Sequence, residues 1–175
     1  MSVFKIYPND GCDVEWKNLL DAFHFGSITT AQTGVIGRVL TTTNDINLEN
    51  LRHFLGKTAK VVSVSEGKFV VPNLWLSRFD VGKCGKIKCA ESELSILAKA
   101  SVNKDNHINT DVTLETANGQ VTQFKVRNKL GENFMIIGLP NALFGQNSPR
   151  SETVIFMVPR LIRTLKTTET IKNKI

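Results

Sequence analysis

Hydrophobic positions along this chain of 175 residues recur mostly with a period of two, which predicts a protein built largely of antiparallel strands. In HINTDVTLET (107 to 116), Ile108, Thr110, Val112 and Leu114 alternate with Asn109, Asp111, Thr113 and Glu115, the pattern of a strand with one buried face. ANGQ (117 to 120) then offers an Asn118-Gly119 turn, and VTQFKVRNKL (121 to 130) follows as a second strand. Two dense apolar runs, 132 to 139 and 152 to 158, predict two more strands, joined by a loop whose Pro140, Gly145 and Pro149 interrupt any ladder.

The first half is more mixed. DVEWKNLLDAFHFG (13 to 26) spaces Val14, Leu19, Leu20 and Phe23, with Trp16, at helical intervals, and Gly26 supplies a stop, so a short amphipathic helix is expected. Residues 27 to 72 are rich in Thr and Val and punctuated by Gly34, Gly37, Asn44, Gly56 and Gly67, as strands and turns are. NLENLRHFL (47 to 55) suits a helical turn or two capped by Asn47. Beyond Arg163 the chain is polar, with Leu165, Ile171 and the terminal Ile175 as its large apolar residues, which predicts a tail ordered by a partner or not at all.

Composition changes this picture little. The chain is 41% hydrophobic and 22% charged, an ordinary folded composition. Its net charge of +6 is a surplus that a solvated surface carries, and it also suits an anionic partner such as lipid phosphate or nucleic acid. No apolar stretch is long enough for a membrane helix, and residues 1 to 20 carry Lys5, Asp10, Asp13, Glu15 and Lys17 where a signal peptide would be apolar. A β-barrel is not excluded, because its strands leave a weaker hydropathy trace.

Catalytic chemistry is not predicted. No nucleophile elbow, zinc-binding helix, P-loop or dinucleotide fingerprint occurs, and GVIGR (34 to 38) reads as a turn between strands. The acidic pairs Asp10 with Asp13 and Glu91 with Glu93 read as solvated surface. Cys12, Cys84 and Cys89, with the scattered His24, His53 and His107, make no metal signature; they read as free thiols, or, in an oxidising compartment, as a Cys84 to Cys89 bridge. GKCGKIKC (82 to 89) has three lysines without an aromatic, so neither nucleic-acid binding nor any cofactor is expected.

Taken in order, four stretches resemble the C-terminal barrel-forming domain of bacterial secretins, the outer-membrane rings of type II and type III secretion and of type IV pili. VLTTTNDINLENLRHFLGKTAKVVSVSEGKFVVP is similar to the family's opening strand, with Ala59 as the small strand residue and Gly67 leading to Pro72. LSILAKASVNKDNHINTDVTLET resembles the next part through Ile108, Val112, Leu114 and Glu115. QVTQFKVRNKLGENFMIIGL matches a glycine, a polar residue and an apolar run at Gly131, Glu132 and Gly138-Leu139, and ETVIFMVPRLI matches the closing strand at Glu152, Ile155, Phe156, Pro159 and Arg160. The chain departs from the family between the last two strands, where it carries only PNALFGQNSPRS, and it shows neither the family's signal peptide nor its periplasmic ring domains, so the resemblance implies a short form, a fragment or a protein whose start is misjudged.

The resemblance implies a homo-oligomeric, gated, non-catalytic ring in the bacterial outer membrane that passes an exported protein or filament. Residues 1 to 163 would form the barrel domain, with 1 to 26 as a helical lead-in, and each protomer would give hairpins to one large barrel. Strands 132 to 139 and 152 to 158 would supply a lipid-facing wall hairpin through Phe134, Ile136, Gly138, Val154, Phe156 and Pro159. Residues 69 to 89 would fold inward as a gate hairpin around Pro72, Gly82 and Gly85, and the tail 164 to 175 would dock a helper lipoprotein. The other reading open at this point is a soluble β-sandwich interaction module.

Overall fold

The computed structural model describes residues 1–9, 14, 16–28, 37–42, 46–81, 94–140 and 150–162. It is mainly β, with ten strands in two antiparallel sheets and two short helices among the described residues. The larger sheet holds β1 (Ser2–Pro8), β2 (Gly26–Ile28), β3 (Arg38–Thr42), β4 (Ala59–Glu66), β9 (Asn133–Pro140) and β10 (Glu152–Met157) in the order β2-β3-β9-β10-β1-β4. The smaller is a meander of β5 (Leu76–Val81), β6 (Leu94–Val102), β7 (His107–Thr116) and β8 (Val121–Lys129). The helices are α1 (Trp16–Phe23) and α2 (Leu48–Leu55).

The larger sheet is covered on both faces. On one side Val3, Val39, Phe134, Ile136, Ile155 and Met157 pack against Ile96, Val112, Leu114, Phe124 and Val126 of the meander. On the other, Phe4, Ile6, Leu40, Met135, Ile137, Val154 and Phe156 pack against Leu19 of α1 and Leu51 and Leu55 of α2. Successive residues of β9 and β10 therefore enter different cores, which is why their sequences are apolar without alternating. The meander has one wet face, and β7 and β8 alternate accordingly.

The first strand is a correction to the helical lead-in of residues 1 to 26. SVFKIYP is β1, paired to β10 on one side and β4 on the other, and only Trp16–Phe23 of that segment is helical. Nor does Gly26 stop α1. His24 takes the left-handed conformation (φ 52), the N–H of Phe25 donates to the carbonyl of Leu20, and Gly26 already belongs to β2. Thr42 closes the same end by donating to the carbonyl of Phe23 at 3.3 Å. The second helix starts as expected, with the Asn47 side chain accepting from the N–H of Glu49 at 2.8 Å.

Hairpin turns fix the meander. Gly119 (φ 81) closes the β7–β8 turn, its N–H donating to Thr116, while the N–H of Thr116 donates to Gln120, the pattern of a turn ending in a glycine bulge. Gly37 has a different task. At φ 113 it enters β3 where a Cβ would lie 3.0 Å from Leu139 Cδ2, 3.1 Å from the Ile137 carbonyl oxygen and 3.2 Å from Phe124 Cζ. Here Phe124 of the meander and Leu139 of the larger sheet both crowd one backbone position. Gly37→Ala is therefore expected to cost about 2 kcal/mol or more, whereas Gly119→Ala, with open space around it, costs only the left-handed penalty of about 1 kcal/mol. Urea unfolding of both variants measures the difference; equal losses would show that the crowding at Gly37 is harmless.

Candidate interaction surface

The residues expected to face lipid lie inside the protein. β9 and β10 do pair as a hairpin, but Phe134 and Ile136 are buried between the sheets, and Val154 and Phe156 are buried under the helices. Neither strand has a side to give to a bilayer in this arrangement. With eight and six residues they are also shorter than the roughly 9 to 11 of a spanning strand. No helix among the described residues is long and apolar enough to cross a membrane. Pro159 and Arg160 follow the end of β10, half-buried and exposed.

Gly138 is not a wall position but a bulge. At φ 71 it breaks the register between β9 and β10, and its N–H donates to the Glu152 carboxylate at 3.2 Å instead of to the ladder. Burial pushes the Glu152 carboxyl above its ordinary value; the Gly138 N–H and the Trp16 indole, which faces the carboxylate without completing a hydrogen bond, pull the other way.

The segment expected as a gate is divided. Gly82, Gly85 and the cysteines lie outside the described residues, as does the tail from 163 onward. Residues 76 to 81 are β5, and it pairs with β6 (Leu94–Val102), which lies beyond residue 89. Residues 67 to 75 carry the chain from β4, at the edge of one sheet, to β5, at the edge of the other, with Phe69 and Phe79 stacked at 5.7 Å between ring centres.

This crossing presents a cluster of four strongly exposed apolar side chains among the described residues. Val70, Leu74, Trp75 and Leu76 are 68%, 60%, 72% and 61% exposed. Pro72 opens a tight turn closed by the N–H of Trp75 donating to its carbonyl at 3.0 Å, and Leu74 sits at the third position with φ 65. That position favours Gly or Asn, and a leucine there costs about 1–2 kcal/mol. The turn is pinned nonetheless: the N–H of Leu74 donates to Ala100 at 2.8 Å, and the Ser77 hydroxyl donates to Val70 at 3.1 Å. Strain held by a rigid frame, with apolar side chains turned to water, is the signature of a contact surface rather than of packing. Nothing in the sequence announces it, because a left-handed leucine has no pattern of its own.

Other polar groups serve as clamps. Ser95 donates to Asp80 and accepts from Arg78, each at 2.7 Å, and Arg78 reaches Glu115 at 3.5 Å, tying β5 to β6 and β7. The Asp80 carboxylate raises the Arg78 guanidinium further. Arg52 of α2 pairs with Glu66 and stacks 5.1 Å over the Phe4 ring, fastening the helix to β4 and β1. No group of three or more metal-ligating side chains gathers among the described residues.

No protein-family model, curated protein or solved structure matches the chain. The likeness to secretins rests on the order of the residues quoted above.

Two outcomes are expected. The native state holds the Glu152 proton to a higher pH than the unfolded chain, so this group's contribution to stability falls as pH rises through the window just above the ordinary carboxylate range. Glu152→Gln, which keeps an acceptor for Gly138, should be more resistant to urea than the parent at neutral pH, with the gap closing in acid; a variant weaker at neutral pH would contradict this. Leu74→Asn should keep or raise the melting temperature, since Asn tolerates the left-handed region; a clear drop would mean that the leucine packs.

Proposed function

We propose that the chain is the repeating subunit of a homo-oligomeric, gated ring of the secretin type, a component of an outer-membrane system that exports folded protein, a pilus or another filament. The observation that carries this reading is the parity of the two sheets. Both are antiparallel throughout, one of six strands and one of four, and among the described residues each ends in unpaired edges: β2 and β4, β5 and β8.

Copies related by rotation about an axis along the strands keep their strand directions. An even number of strands therefore lets the last strand of one copy meet the first strand of the next antiparallel, in both layers at once. The edges are placed for it: β4 and β5 lie on one side, joined by the crossing at 67 to 75, while Phe124 of β8 lies against Gly37 at the start of β3 on the other. A join of this kind is head to tail, and it makes a ring where the rotation between copies closes and an open filament where it does not. In chain order β4 precedes and β9 and β10 follow the meander, so the layer between them is free to serve as the inner, gating one. Open edges left bare in water invite wrong pairings, which a ring removes.

A β-sandwich interaction module acting as a single copy, without catalytic activity, is the second reading. It is favoured by the cover on both faces of β9 and β10, which leaves that hairpin no lipid to meet.

Particle mass separates the two. A ring many times 19.4 kDa in mild detergent is expected, and a monomer without detergent would favour the single module. Cysteine pairs placed on β5 at Leu76 and on β8 at Gln123 should cross-link into a ladder of multimers; cross-links from either single substitution alone, ending at dimers, would mean that like edges pair and that no ring forms.

A further inference from the structure

The crossing between the sheets has a chemistry of its own. Val70, Leu74, Trp75 and Leu76 project at one end of the meander, and Val102, 39% exposed, lies close by, because the N–H of Leu74 reaches Ala100 in the same strand. Around them stand exposed cations: Lys68 two residues before Val70, Lys99 directly across from Leu76, and Lys104 in the turn after Val102. The neighbouring acids are Asp105 in that turn and Asp111, which faces Lys99 on one side and Lys125 on the other. The surroundings are thus positive on balance, on a chain whose net charge is already +6.

We propose that this tip docks on an anionic lipid surface, with Leu74, Trp75 and Leu76 in the headgroup layer and the lysines on lipid phosphates. Two features favour lipid over a protein. Protein interfaces are depleted of lysine, whereas each lysine near an anionic bilayer strengthens binding. A tryptophan beside leucines, with an apolar body and a polar N–H, is the residue that settles at the boundary between acyl chains and water. The left-handed turn adds preorganisation, since the tip is already held out before contact.

The inference stands apart from the ring reading, because docking needs only one copy of the chain. The test uses the full chain with vesicles of phosphatidylcholine alone or mixed with phosphatidylglycerol, read by co-sedimentation and by quenching of tryptophan fluorescence with brominated lipid. The half-buried Trp16, packed against the helix-covered core of the larger sheet, serves as the weakly quenched reference. Binding to the mixed vesicles is expected, with Trp75 quenched. Trp75→Ser combined with Leu76→Ser should lower partition by about tenfold or more, and Lys68→Gln with Lys104→Gln should lose about fivefold per charge on the anionic vesicles only. All of these positions are exposed, so unchanged melting temperatures confirm that folding is intact, and Leu74→Asn provides a further variant that keeps the turn. No binding to the mixed vesicles, or equal binding by parent and serine variant, overturns the proposal. So does a serine variant that changes particle mass in the absence of lipid, which would make the tip a protein contact. Particle mass without vesicles reports on the ring separately, so either idea can fail alone.

Discussion

Burial of β9 and β10 on both faces is the constraint on which the rest of this structure depends. A strand with one wet face needs one partner layer, but these two central strands send Phe134, Ile136 and Ile155 to one core and Met135, Val154 and Phe156 to another. Each core requires a cover. The meander supplies one and the two helices the other, so three layers form around a single pair of strands. Every polar group near that pair must then be accounted for locally. Glu152 takes the N–H that the Gly138 bulge withdraws from the ladder, at the cost of a carboxylate half out of water.

The layers explain where polar contacts are spent. Arg52 holds α2 over β1 and β4, and the Arg78, Asp80, Ser95 and Glu115 group holds the outer face of the meander together. Exposed pairs of this kind are worth at most about 1 kcal/mol each, so they orient elements that the cores already bind. What is left over is on the perimeter: the sheet edges and the tip at Leu74 and Trp75. Among the described residues, those are places where this chain has backbone or apolar surface to offer another molecule.

How much of this was legible depended on how many faces of an element meet water. Strand 107 to 116 was readable residue by residue, because one wet face imposes alternation, and the Asn47 cap was readable because its side chain has one favoured use. The dense runs at 132 to 139 and 152 to 158 were readable as strands but not as to their surroundings: lipid on one side and a second protein layer demand the same apolar side chains. β1 was missed for the same reason in miniature, since Val3, Phe4 and Ile6 enter both cores and show no period. Its place beside β10 is a long-range fact that no local window contains. His24 displaced Gly26 as the stop of α1 because the left-handed position falls wherever the helix must turn into β2, and a histidine tolerates it there. The exposed tip was hidden because leucine and tryptophan in a strand-like run are ordinarily taken for core.

The position of β1 also sets a schedule for folding. It pairs with β4, which ends at Glu66, but its other neighbour is β10, so Val3 must wait for Ile155. Within the meander, by contrast, short turns join β6 to β7 and β7 to β8, and nothing prevents these three strands from zipping as they leave the ribosome. Until β10 is made, half of the β1 backbone and one side of β9 stay without hydrogen-bond partners, next to apolar residues destined for two cores. The nascent chain therefore carries an adhesive, incomplete sheet for most of its synthesis, and chaperone attention is best aimed at this early, open β1–β4 pair rather than at the meander.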